Sequence, residues 1–207
     1  MATAVKICGI TRPEDALAAA RAGAHAVGFV FYEKSPRYVT PARAAEIARA
    51  LPPFITAVAL FVDARVEDVR KVLAEVPVAL LQFHGSEEPA FCRQYGRPYV
   101  KAVRMKAGVD LLQYARDYHD ARALLLDNFV DGLHGGSGTA FDWSLVPPDL
   151  PLPVILSGGL TVENVAEAVR RVRPCAVDVS SGVESAKGVK DAARIAAFIK
   201  GVRNADG

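Results

Sequence analysis

The sequence has little of several things, and each shortage excludes a class of protein. Its 207 residues include three cysteines, Cys8, Cys92 and Cys175, which lack both the spacing of metal ligands and the even number of a disulfide framework. We therefore expect no metal site, and a reducing cytoplasm as the default location. Lysine and arginine (25) nearly balance aspartate and glutamate (23). A balance this even predicts neither nucleic acid nor an anionic membrane surface as the main partner.

Long apolar stretches are also missing. No stretch approaches the roughly 18 apolar residues of a membrane-spanning helix, and the first residues lack the apolar segment of a secretory signal. We therefore expect a protein without a membrane span or a cleaved leader. What the sequence does have is 51% hydrophobic residues, enough for one sizeable core. We predict a single domain over residues 1–207.

Apolar runs recur along the chain, and each is followed by a segment that can form a helix or a turn. The eight predicted strands are residues 5–10, 25–31, 55–62, 79–84, 99–104, 123–128, 154–157 and 176–180. Eight β/α units predict an α/β fold, a single (β/α)8 TIM barrel of eight parallel strands with surrounding helices. An open doubly wound sheet is the alternative. That fold would place its phosphate-binding glycines after the first strand, whereas the glycine-rich turns here follow the last three strands.

Several residues between the strands favour helix starts. Thr11 and Glu14 have the spacing of a capping box, and Asp63 can cap the third helix. After the last strand we expect a short helix over residues 183–186, followed by a final helix over residues 189–202.

The first strand carries a lysine and a thiol on one face. Side chains alternate along a strand, so Lys6 and Cys8 point the same way. A buried ammonium group needs a partner, and we predict that Asp178, on the same face of the eighth strand as Ser180, pairs with Lys6. The charge of Lys6 would favour the thiolate form of Cys8. A free cysteine is often a plain core residue, but a position at a strand end of a barrel equally allows catalysis.

Other polar side chains come at or just after strand ends. Asp127 ends an apolar run, and partial desolvation would favour the protonated carboxyl of a general acid; a loop-bonding aspartate is the alternative. Arg37 lies in the loop after the second strand, where its planar fork would match a carboxylate or lie in solvent. His84 ends the fourth strand, either as a catalytic group or as a histidine satisfied by hydrogen bonds.

Glycine and serine follow the last two strands. The turns are Gly158-Gly159 after the seventh strand and Ser180-Ser181-Gly182 after the eighth. Glycine lets the backbone approach a ligand closely, and successive N–H groups in a turn bind anions. The corresponding loops of this fold are where phosphate usually binds. We therefore predict a phosphorylated small molecule as the ligand, the alternative being that these residues only make tight turns.

These residues leave more than one function open. An aldose–ketose isomerase or an epimerase of a sugar phosphate would use an acid, a base and a phosphate site. A flavin-dependent oxidoreductase would place the FMN phosphate on the same turns. A non-catalytic binder of phosphorylated ligands would need the turns alone.

Six motifs, in chain order, resemble one family. They are Lys6-Ile7-Cys8-Gly9-Ile10-Thr11; Gly28-Phe29-Val30-Phe31 through Ser35-Pro36-Arg37; Gln82-Phe83-His84-Gly85; Gly135-Gly136-Ser137-Gly138 with Phe141-Asp142-Trp143; Leu156-Ser157-Gly158-Gly159-Leu160; and Asp178-Val179-Ser180-Ser181-Gly182-Val183-Glu184. The sequence thus resembles phosphoribosylanthranilate isomerase, of tryptophan biosynthesis. Each motif alone is modestly specific, but six in order from the first strand to the last are very specific.

The resemblance implies an Amadori rearrangement that needs no cofactor and no metal. It implies Cys8 as the general base, a thiolate of lowered pKa, and Asp127 as the general acid. It also implies that Arg37 binds the anthranilate carboxylate and that the turns after the last two strands bind the phosphate. The glycine-rich loop 131–139 would close over the substrate. Three further residues would support the site: Lys6, His84 and Asp178. The sequence leaves the choice between a monomer and a homodimer open.

Overall fold

Eight parallel strands close into a barrel in sequence order, each strand pairing with the next and the last pairing with the first. The fold is seen in a computed structural model, which describes residues 2–128 and 141–206. The predicted (β/α)8 barrel is confirmed. The strands are β1 (Ala4–Cys8), β2 (Ala26–Val30), β3 (Thr56–Phe61), β4 (Leu80–Phe83), β5 (Tyr99–Met105), β6 (Ala123–Asn128), β7 (Val154–Leu156) and β8 (Ala176–Val179).

The helices surround the barrel. They are α1 (Pro13–Ala22), α2 (Pro41–Arg49), α3 (Val66–Glu75), α4 (Pro89–Arg93), α5 (Leu111–Asp117), α6 (Val165–Val172) and α7 (Ala192–Asp206). Single 3-10 turns at Trp143–Leu145 and Ser181–Val183 complete the described elements, with a hairpin of β9 (Glu184–Ala186) and β10 (Val189–Lys190). Within residues 2–128 and 141–206, no helix has both the length and the apolar character of a membrane span.

Alternation along the strands separates an outer core from the interior of the barrel. Outward side chains such as Ile7 and Phe29 join the helices in one large apolar cluster. The inward side chains of β5 and β6 form a separate cluster of Val100, Ala102, Ala123 and Leu125 near the strand starts. A third cluster, Cys8, Val30, Leu60 and Val62, lies toward the strand ends of β1 to β3. The barrel is therefore filled below its C-terminal rim and carries its thiol at that rim.

The predicted helix caps are wrong because the capping residues bond elsewhere. The Thr11 hydroxyl donates to the carbonyl of Gly188 at 2.6 Å, and α1 begins after Arg12, with proline in its first turn. The Asp63 carboxylate accepts from the backbone N–H of Ser86 at 2.6 Å, and α3 begins only after Arg65. Both threonine and aspartate therefore join loops that follow different strands, which local spacing does not reveal.

The segment after β8 also differs from the prediction. Residues 184–186 form a strand rather than a helix, and residues 189–190 pair with it in an antiparallel hairpin. Gly188 has a positive φ of 78°, a conformation that suits a tight turn between the two strands. The final helix, α7, therefore begins later than the sequence suggested.

A buried ion pair fixes the loop that follows β4. The ammonium group of Lys101 donates to the Glu87 carboxylate at 2.9 Å and to the carbonyl of Gly85 at 2.6 Å. Both side chains are 2% exposed. The same carboxylate accepts from the backbone N–H of Gly85 at 2.9 Å and from that of Asp63 at 2.9 Å. The pair thus holds the backbone directly after His84.

We expect Lys101→Met to lower the free energy of unfolding by about 3–5 kcal/mol, because it leaves the Glu87 carboxylate buried without its cation. Chemical denaturation followed by circular dichroism measures the change. The double variant Lys101→Met, Glu87→Gln should recover part of the loss, because no charge is then stranded. A single variant as stable as the wild type would show that Glu87 does not depend on this partner.

Candidate active site

One cleft opens at the C-terminal ends of the strands. It contains about 690 Å³ of space between atoms, part of it open to solvent, which suits a small-molecule ligand. Nine residues singled out from the sequence line it: Cys8, Arg37, His84, Asp127, Gly158, Gly159, Asp178, Ser180 and Ser181. Lys6 and Gly182, also singled out from the sequence, are not among the lining residues. The glycine-rich loop 131–139, and its predicted closure, lie outside the described residues.

The predicted pairing of Lys6 with Asp178 is present. Lys6 on β1 and Asp178 on β8 are paired in the parallel register of the two strands. The Lys6 Nζ lies 2.8 Å from Asp178 Oδ1, and both side chains are buried. Cys8 lies one inward position closer to the rim. A Cβ atom at Gly28 would be 2.9 Å from the Cys8 Sγ and 3.1 Å from the Lys6 Nζ. The absence of a side chain at Gly28 on β2 therefore leaves room for the Lys6 ammonium group and the Cys8 thiol to lie side by side.

Burial raises the pKa of Cys8 above its usual value of 9.0, and the nearby Asp178 carboxylate adds to the rise. Lys6 and Lys190 lower this pKa but do not offset the burial. The expected lowered pKa of Cys8 is therefore wrong for this structure, although the effect of Lys6 has the expected sign. Burial disfavours the charge of Lys6 too, but Asp178 and Cys8 raise the pKa of Lys6 overall, so that the cation beside the thiol is retained.

Asp127 is the centre of a second polar group. Its Oδ2 lies 2.9 Å from His84 Nε2, and its Oδ1 accepts from the backbone N–H of Asn128 at 2.9 Å. The amide nitrogen of Gln82 lies 2.9 Å from His84 Nδ1. An amide donor at Nδ1 leaves the proton of a neutral imidazole on Nε2, where it donates to Asp127. His84 is therefore placed to orient the carboxyl group of Asp127.

The turns after β7 and β8 lie against each other, and the first of them lies against Asp127. Gly158 has a φ of 78°, and a Cβ atom there would overlap the backbone nitrogen of Asn128 and lie 2.9 Å from Asp127 Oδ1. A Cβ atom at Gly182 would overlap the carbonyl oxygen of Leu160, next to the first turn. Only glycine permits both approaches. Backbone N–H groups of two adjoining turns can together bind one anion.

Arg37 reaches the cleft from the loop after β2 and is held there by a carboxylate. Its Nε and Nη2 donate to the two carboxylate oxygens of Glu184 at 2.7 and 2.8 Å. The buried Nζ of Lys190 is 2.8 Å from the same carboxylate. Burial opposes ionisation of Glu184, but Arg37 and Lys190 together hold the pKa of its carboxyl below the usual value.

Sequence reasoning missed Lys190 and the role of Glu184. The predicted final helix over residues 189–202 includes Lys190, whereas the structure places this residue in β10. Gly188 between two short segments was a usable signal for a hairpin turn. A hairpin would have brought residue 190 back beside residue 184.

The described geometry defines the class of protein. A closed (β/α)8 barrel, with titratable side chains and glycine-rich turns facing one cleft at the C-terminal ends of its strands, is the arrangement of a (β/α)8-barrel enzyme.

A sequence model of the family N-(5'phosphoribosyl)anthranilate (PRA) isomerase matches residues 5–201. The chain belongs to this family. The N-(5'-phosphoribosyl)anthranilate isomerase of Thiobacillus denitrificans is 61% identical over 199 residues, which are 96% of this chain and 97% of that protein.

Solved structures agree with the family. A PRA isomerase in complex with reduced 1-(o-carboxyphenylamino)-1-deoxyribulose 5-phosphate has a TM-score of 0.86 and 42% identity, covering 98% of this chain and 99% of its own. A structure of monomers generated from the dimeric isomerase of Thermotoga maritima has a TM-score of 0.85 and 40% identity, with coverage of 98% and 99%.

We expect the midpoint of ionisation of the Cys8 thiol to lie above its usual value of 9.0, because burial raises this pKa by disfavouring the thiolate. Lys6→Met should move the midpoint higher, because it removes the nearest cation. The thiolate absorbance, recorded against pH as the difference from Cys8→Ser, measures both midpoints. A wild-type midpoint below 9.0 would contradict the effect of burial.

Proposed function

We propose that the protein isomerises N-(5'-phosphoribosyl)anthranilate to 1-(2-carboxyphenylamino)-1-deoxyribulose 5-phosphate, a step of L-tryptophan biosynthesis. The observation that carries the proposal is one cleft lined by Cys8, Asp127, Arg37 and residues of the two glycine-rich turns. The related structure that holds a reduced carboxyphenylamino-deoxyribulose phosphate supports the same substrate chemistry. The ligand is thus a phosphorylated small molecule with a carboxylate at its other end.

Asp127 acts as the general acid in this proposal. It protonates the ring oxygen of the furanose, the bond from that oxygen to C1′ breaks, and the electron pair of the anthranilate nitrogen forms a Schiff base. His84, at hydrogen-bond distance from Asp127, orients its carboxyl group.

Cys8 acts as the general base. Its thiolate removes the proton from C2′ of the Schiff base, which gives an enolamine, and the enolamine then tautomerises to the amino-ketose. Protons are only moved, so that substrate and product have the same atoms and the same oxidation state. Since burial raises the pKa of Cys8, the thiolate is a minor species at neutral pH, and Lys6 is the group that favours its formation.

Charged side chains of both signs lie around the cleft. They are the cations Lys6, Arg37 and Lys190 and the carboxyl groups of Asp127, Asp178 and Glu184. The cations attract the phosphate and the carboxylate of the substrate. In the proposal Arg37 binds the carboxylate, and the turns Gly158-Gly159 and Ser180-Ser181-Gly182 bind the phosphate. The two ends of the substrate then place the ribose between acid and base.

We also propose a cytoplasmic location and, of the two oligomeric states left open, a homodimer. The three cysteines are free, which suits a reducing compartment. The related isomerase described as dimeric supports the homodimer.

The loss of fluorescence of N-(5'-phosphoribosyl)anthranilate during turnover tests the reaction. We expect Cys8→Ser and Asp127→Asn each to lower kcat by roughly 10²- to 10⁴-fold with a smaller change in KM, because each removes one proton-transfer group. Cys175→Ser and Asp68→Asn are the matched controls, since Cys175 and Asp68 are exposed and do not line the cleft. Near-normal turnover by Cys8→Ser or Asp127→Asn would refute the role assigned to that residue.

A further inference from the structure

Glu184 occupies only one side of the Arg37 guanidinium. It accepts from Nε and Nη2, which form one of the two forks that a guanidinium can offer to a carboxylate. Among residues 2–128 and 141–206, no side chain or carbonyl accepts from Nη1 of Arg37. The fork of Nη1 and Nη2 therefore stays available to a second carboxylate, while the first holds the side chain still.

Lys190 connects that carboxylate to the turn after β8. Its side chain is 0% exposed, and its Nζ lies 2.8 Å from Glu184 Oε1, 3.1 Å from the carbonyl oxygen of Ser180 and 3.2 Å from the Ser180 hydroxyl. Three oxygen atoms thus accept from the three hydrogens of the ammonium group. A buried ammonium with this set of partners fixes the distance between Glu184 and Ser180.

The backbone that carries the two residues is fixed as well. The backbone N–H of Lys190 donates to Asp15 Oδ2 at 3.1 Å, and the Arg12 guanidinium holds the same carboxylate through two hydrogen bonds. The carbonyl of Glu184 accepts from Arg194 Nη1 at 2.6 Å. The hairpin of β9 and β10 is therefore a rigid base for the two charged side chains.

We propose that Glu184 and Lys190 are positioning residues that preset both ends of the substrate site. Glu184 orients Arg37 so that its remaining fork meets the substrate carboxylate, and Lys190 couples Glu184 to the Ser180 turn at the phosphate end. The proposal deepens the proposed function and rests on it. Neither Glu184 nor Lys190 is among the residues that line the cleft, so we expect their effect to fall on binding rather than on proton transfer.

A role in holding the hairpin alone does not account for this arrangement. Buried ion pairs contribute little stability compared with apolar packing of the same volume. Here the charges extend from the hairpin to Arg37 on one side and to Ser180 on the other. In the proposed function, Arg37 binds the carboxylate of the ligand, and the turn that contains Ser180 binds its phosphate.

Calorimetric binding of two ligands separates positioning from folding. One ligand is reduced 1-(o-carboxyphenylamino)-1-deoxyribulose 5-phosphate, and the other is the same compound without its carboxyl group. We expect Glu184→Gln to weaken binding of the first roughly 10- to 100-fold, because a charged hydrogen-bond partner of Arg37 is lost. Binding of the second should change less than about threefold, because it makes no use of Arg37. Turnover should show the same loss in KM, with kcat within about threefold.

Lys190→Met provides the second variant. This variant should weaken the binding of both ligands by roughly 10-fold or more, because it frees the Ser180 turn as well as Glu184. In an Arg37→Met background, Glu184→Gln should cost no further affinity, since Glu184 acts through Arg37. Asp68→Asn, which breaks the two-hydrogen-bond pair with Arg65 away from the cleft, is the control and should leave both affinities unchanged.

Two results would overturn the proposal. One is an equal loss of affinity for both ligands in Glu184→Gln, which would indicate a general structural role. The other is an unchanged affinity for both ligands in both variants. If Glu184→Gln does not fold, Glu184→Asp, which keeps the charge on a shorter side chain, is tested with the same ligands and should again weaken binding of the first ligand more than that of the second. A wild-type protein that binds both ligands but does not convert N-(5'-phosphoribosyl)anthranilate would refute the isomerase function and leave the binding test standing.

Discussion

The ion pair between Lys6 and Asp178 is the interaction on which the active-site end of the barrel depends. It lies inside the barrel between β1 and β8, where the first and last strands meet and the sheet closes. Each charge compensates the burial of the other, so that a lysine can lie in the interior with its charge retained. That charge is then within reach of Cys8, the next inward side chain of β1. The contact that joins the first and last strands therefore also holds a cation beside the thiol.

Inside the barrel, apolar packing and titratable side chains occupy different levels along the strands. The apolar side chains of β5 and β6, among them Ala102 and Leu125, fill the half near the strand starts and exclude water from below. Charged groups are gathered above them, at the rim, where a ligand can complete their interactions. The large outer core supplies apolar burial independently of the rim. Titratable groups can therefore be placed at the strand ends without weakening the packing that closes the barrel.

Much of this could be predicted from the sequence, because strand alternation and strand order are local properties. They predicted the eight strands, the shared face of Lys6 and Cys8 and the pairing with Asp178. What could not be predicted depends on loops that meet only after folding. Thr11 bonds to Gly188 and Asp63 to Ser86, each across loops that belong to different strands. The same holds for the contact of Arg37 with Glu184, between residues 147 positions apart.

The raised pKa of Cys8 is consistent with its proposed role as a base toward a carbon acid. A thiol of higher pKa gives a more basic thiolate, and a more basic group removes a proton from carbon more readily once it is ionised. Burial therefore makes the thiolate both scarcer and stronger as a base. Lys6 increases the fraction of thiolate by lowering the pKa of Cys8. The pairing of Lys6 with Asp178 keeps the ammonium group charged. The placement of lysine between a carboxylate and a thiol thus sets a balance between the amount of active base and its strength.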